Sequence, residues 1–114
     1  MTFDEYQKAA ESTNLTPGDT GVVMSISFMD KVLGLVGESG EFADHVKKIL
    51  RDDDAKMTDE RRQVLIKELG DVLWYIALLA KHLDMPLEEI ATRNIDKLKS
   101  RQTRGKLGGS GDHR

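Results

Sequence analysis

Two long stretches of this chain place their apolar residues at the 3–4–7 spacing of one helical face, and nowhere does period-two alternation persist. Phe28, Val32, Leu35, Phe42, Val46 and Ile49 form one stripe; Leu65, Leu69, Val72, Ile76 and Leu83 form the other. Helix signals frame them. Thr2 and Glu5 make a capping-box pattern that opens a short helix through about Ser12. Asn14 to Gly21 is rich in turn residues, and a second helix follows from about Ser25 to Leu50. Three consecutive acids, Asp52 to Asp54, oppose its dipole and end it. Thr58 is placed to cap a third helix from Asp59 to about Leu83, and Pro86 suits the first turn of a fourth that reaches about Arg104. Four helices joined by short loops predict an all-α, antiparallel helical bundle.

The third helix carries a further implication. Val72 to Ala80 is apolar nearly all round, and such a helix wants partners on every side, which predicts a homo-oligomer, dimer or tetramer. The alternative is that the first helix covers the extra face. The domain spans residues 1–104, and the four glycines of residues 105–114 make a basic, flexible tail.

Several function classes drop out. A chain of 114 residues without cysteine excludes disulfide scaffolds, thiolate zinc sites and cysteine nucleophiles. No apolar run approaches the roughly 20 residues of a membrane span. The polar N-terminal segment lacks a signal-peptide core, so a cytoplasmic protein is expected. The net charge of -3 hides a split: residues 1–92 hold 10 basic and 18 acidic side chains, whereas residues 93–114 hold 7 and 2. The basic end would attract phosphate, but it has no DNA-binding motif and the rest repels, so no nucleic-acid partner is expected.

The acids are organised. Glu38 and Glu41 lie on the second helix and Glu68 and Asp71 on the third, each pair at i, i+3 and each beside its apolar stripe. A lone pair of this kind is ordinarily solvated surface. Two pairs on antiparallel helices would converge at one edge of the core, where only a hard cation relieves four carboxylates; all-oxygen ligands suit magnesium, or manganese in its place. Gly40 and Gly70, inside the pairs, each cost a helix about 1 kcal/mol, as if a backbone or ligand must approach closely. A di-iron centre would need Glu-x-x-His on two helices, which this chain lacks.

At these residues the sequence resembles the MazG-type, all-α nucleoside triphosphate pyrophosphohydrolases. Residues 34–41, GLVGESGE, are similar to that family's GLxGExGE stretch, and residues 67–75, KELGDVLWY, to its ExxD stretch, with a spacer of 26 residues between Glu41 and Glu68. The resemblance covers about residues 25–104. It implies that Glu38, Glu41, Glu68 and Asp71 hold magnesium against a nucleoside triphosphate. It further implies hydrolysis between the α- and β-phosphates to a nucleoside monophosphate and pyrophosphate, in a house-cleaning role. A carboxylate not fully used in coordination can orient or deprotonate water; Glu41 is assigned that task, and sequence does not separate it from Glu38. A non-catalytic, nucleotide- or metal-binding helical dimerisation module is the alternative.

On the fourth helix Asn94, Lys97, Arg101 and Arg104 make one polar, mostly basic stripe suited to phosphate, and Asn94-x-x-Lys97 resembles substrate-contacting residues of the family. Lys48, seven residues beyond Glu41, is placed to reach a phosphate, and Tyr75, four beyond Asp71, to border a base. Trp74 points elsewhere, toward core or interface. His45 sits near the acidic edge as a supporting or surface residue, whereas His82 and His113 carry no signal. The tail, with Lys106, Ser110 and Arg114 among its glycines, either closes over phosphates with its main-chain N–H groups or stays disordered.

Overall fold

A computed structural model describes residues 1–16 and 24–114; part of the turn-rich stretch after Asn14 lies outside the described residues. Among the described residues there are four α-helices and no strand: α1 (Phe3–Ser12), α2 (Ile26–Asp52), α3 (Asp59–His82) and α4 (Leu87–Thr103). Local chemistry sets the boundaries. Thr2 and Glu5 form the full capping box on α1, with Glu5 N donating to Thr2 Oγ1 at 3.1 Å and Thr2 N to Glu5 Oε2 at 2.6 Å. Ser25 and Thr58 cap α2 and α3 by accepting from Phe28 N and Arg61 N. Beyond α2, Asp54 and Ala55 turn into the left-handed region, and Ala55 N reaches back to Ile49 O at 3.2 Å.

Pro86 stands at the N-cap of α4 rather than in its first turn and offers no side-chain cap. Gln7 supplies one from a distance. Its buried amide donates to Ala77 O and Met85 O, and its Oε1 accepts from Leu87 N at 3.1 Å, so one side chain ties α1 to α3 and to the start of α4. Satisfying a buried orphan N–H in this way avoids a cost of roughly 1–3 kcal/mol. Around it Ala10, Ala77, Leu78 and Leu87 form the core, with Tyr6, Leu73, Trp74 and Ile76 against them.

The four helices expected are present, and they pack unequally. α2 packs on α3, α1 packs on α3 and α4, and α4 touches α3 but makes no contact with α2. No residue from Val72 to Ala80 is exposed, because α1 and α4 cover what α2 leaves open. The reason given above for expecting partners on α3 therefore falls. The uncovered apolar row lies instead on α2, where Ile26 is 91% exposed, Leu33 67% and Val36 66%.

Candidate functional site

The seam between α2 and α3 positions the acids. On α2 the buried or half-buried positions Ser27, Lys31, Gly34, Glu38, Phe42, His45 and Ile49 recur every three or four residues. On α3 Arg61, Leu65, Glu68, Val72, Tyr75, Leu79 and His82 do the same. Glu38, Glu68 and Asp71 thus sit within the helix contact rather than at its border, and Leu69 and Leu83, expected in the stripe, are exposed.

Carboxylate oxygens of Glu38, Glu68 and Asp71 all lie within 4.8 Å of one another. Glu68 is 13% exposed at its side chain and stands 3.4 Å from His45 Nε2. Burial first, then the neighbouring charges of Asp71 and Glu68, raise the Glu38 carboxyl above its ordinary value. The same acids reach their neighbours: burial and then Asp71 raise the Tyr6 phenol, and burial, Asp30, Glu38 and Asp71 raise that of Tyr75. Three mutually repelling oxygens this close together fit a hard divalent cation held by Glu38, Glu68 and Asp71.

Glu41 stands apart: it is exposed, one turn along α2, and its carboxylate is outside the group of three. Tyr75 has its ring packed on Gly34 and edge-to-face with Trp74 at 4.9 Å. Trp74 packs toward the core and donates Nε1 to Thr13 Oγ1 at 2.8 Å. Lys48 is turned to Asp44 at 2.8 Å, and Lys48 and Lys47 hold that carboxyl down to about 2. Asn94 and Lys97 are exposed on α4, sharing a surface depression with Ile90 and Arg93. Arg101 is 4% exposed, covered by the tail.

Sequence reading passed over a second polar group on the same seam. Lys31 and His82 are each 1% exposed. Lys31 Nζ donates to Thr16 Oγ1 and contacts Asp30 Oδ2, both at 2.8 Å; His82 Nε2 meets Ser27 Oγ at 3.1 Å. Polar side chains repeating at the helical period on the α3-facing side were the available signal. Tyr6 had none, since only the fold brings α1 beside Asp71.

Over its full length the chain is 49% identical, across 116 aligned residues spanning the whole of the relative too, to the Gene 37 protein of Mycobacterium phage L5. No solved structure matches it. The carboxylates converge inside the segment, residues 28–105, that matches the MazG nucleotide pyrophosphohydrolase domain, and the chain belongs to that family.

Proposed function

We propose that the protein is a magnesium-dependent nucleoside triphosphate pyrophosphohydrolase that hydrolyses (d)NTPs between the α- and β-phosphates in nucleotide-pool house-cleaning. The observation that carries this is the convergence of Glu38, Glu68 and Asp71 across α2 and α3 within a MazG domain. Magnesium, or manganese in its place, supplies charge neutralisation at the phosphoryl oxygens and Lewis acidity toward water when bound. Those three carboxylates are the ligands we assign. Glu41, close in sequence but outside the trio, is left free to orient a water and take its proton as the water oxygen attacks phosphorus and the α–β anhydride bond breaks. Glu38 is the other candidate that the sequence leaves for that role, and its place in the trio is why Glu41 is the one assigned. Tyr75 borders the base, and Asn94, Lys97, Arg101 and Lys48 meet phosphate, Lys48 by exchanging Asp44 for the ligand.

Residues 1–104 are the working domain and residues 105–114 its tail. Self-association is part of the reading. A radius of gyration of 17.0 Å exceeds the roughly 13 Å of a compact chain this long, and the α2 row lies bare. No described helix is long and apolar enough to cross a membrane, and a soluble, cytoplasmic setting suits a nucleotide substrate.

The test is incubation of the protein with a panel of (d)NTPs and magnesium, following pyrophosphate. Orthophosphate as the product, or nucleotide binding without turnover, overturns it. Glu41→Gln and Asp71→Asn should each lose about 100-fold or more in kcat while staying folded; full activity in either removes that residue from the mechanism.

A further inference from the structure

The stripe on α4 that suits phosphate is already engaged. Asp112 of the tail places Oδ1 3.5 Å from Arg101 Nη2 and 3.7 Å from Lys97 Nζ, and its main-chain oxygen accepts from Arg101 Nη2 at 2.7 Å. Arg104 Nη2 donates to Arg114 O at 3.0 Å, and Lys106 N donates to Arg101 O at 2.7 Å, so the whole segment folds back along the end of α4. Arg114 braces it by donating to Gly111 O and Leu107 O. Gly105, Gly109 and Gly111 make the reversals at positive φ, where a side chain would be strained.

The hold is incomplete on both sides. Arg101 Nε is buried with no acceptor among the described residues, although an unmet guanidinium N–H is costly to bury. Asp112 is 84% exposed at its side chain, so its two ion pairs are of the weak, solvated kind. Main-chain N–H groups from Leu107 to Arg114 donate to no acceptor among the described residues. A phosphate group offers a higher charge and several oxygens for the guanidinium fork, and it would satisfy Arg101 better than one carbonyl and a distant carboxylate do.

We propose that residues 105–114 are an internal anionic cover: Asp112 holds the place on Lys97 and Arg101 that a phosphate group takes, and polyphosphate displaces it. The inference rests on the reading of Lys97 and Arg101 as phosphate contacts and is independent of turnover. It makes the tail a competitor whose strength sets how readily the stripe opens.

The test is calorimetric titration of the intact chain with inorganic tripolyphosphate in the presence of chelator, which leaves the carboxylate group and catalysis out of the measurement. Asp112→Asn should bind about three- to tenfold tighter than wild type, the equivalent of two lost exposed ion pairs. Asp96→Asn removes one negative charge from another face of α4, where Asp96 lines a depression with Phe3, Glu88 and Lys99, and should change affinity little. Equal or weaker binding by Asp112→Asn, an equal gain in Asp96→Asn, or no binding by any of the three overturns the cover. Backbone NMR relaxation gives a second reading on wild type: saturation with tripolyphosphate should lower the order parameters of residues 107–114, and unchanged or raised values refute displacement. Should nucleotide turnover fail while Asp112→Asn still binds tripolyphosphate more tightly, the cover stands and the catalytic reading falls.

Discussion

At Gly34 a methyl group has nowhere to go, because the ring of Tyr75 fills the space a Cβ would take. The ring lies there because the α2–α3 seam brings residue 75 opposite residue 34, and the contact fixes one wall of the carboxylate group. Gly34→Ala should therefore destabilise the protein by about 1–3 kcal/mol, the range for forcing extra atoms into a packed contact. Gly37→Ala, whose Cβ would meet nothing within 4 Å, should instead be neutral or gain up to about 1 kcal/mol from helix propensity. Denaturant unfolding of the two variants checks this, and a neutral Gly34→Ala would mean that Tyr75 is free to move. Gly40 and Gly70, where the sequence suggested that a backbone or a ligand comes close, have no protein atom within 4 Å of where a Cβ would stand. What distinguishes Gly34 is the residue facing it from α3, and no property of α2 alone carries that information.

Among the elements, α2 and its stripe were legible and α3 was only half so. The stripe from Phe28 to Ile49 is at least half-buried throughout, as the spacing requires, although the seam itself runs beside it through Lys31, Gly34, Glu38 and His45. On α3 the contact is rotated toward Glu68, Asp71, Tyr75 and His82, which leaves Leu69 and Leu83 bare. An apolar stripe locates a seam only when the seam is apolar, and this one alternates apolar residues with functional polar ones. Glu68 and Asp71 still project from one side of α3, because i, i+3 spacing holds however the helix is turned. Glu41 lies only about 60° round α2 from Glu38, yet it is exposed and its carboxylate stands outside the group of three. The same rotation buries His82 beside Lys31, and burial followed by that cation lowers its pKa below the ordinary imidazole value of 6.5. The folded state then binds fewer protons than the unfolded one as pH falls below about 6.5, so stability is lost with acidification from that point downward. Melting temperature should drop more steeply between about pH 7 and pH 5 in wild type than in His82→Asn, which lacks the titrating group. Parallel profiles would show that His82 is free to protonate in the fold.

For the molecule as a whole, the row Ile26, Met29, Leu33 and Val36 decides whether one chain is a complete unit. Its spacing of three, four and three residues is that of a helix seam, its members are exposed, and α4, which could have covered it, packs elsewhere. Four large apolar side chains in a line on a chain this small would invite association of any kind, whereas a second copy laid along the same row buries them on both sides at once. Leu33, central and 67% exposed, is the place to break it. Leu33→Glu has nothing to disturb in the isolated chain, since the side chain points away from α3, but it would bury two carboxylates in a symmetric contact. Light scattering at micromolar concentration should give wild type a mass of at least twice 12.8 kDa and Leu33→Glu a mass near 12.8 kDa, with helical content unchanged. A wild type already at the single-chain mass would mean that the α2 row stays bare in solution, and self-association would fall with it.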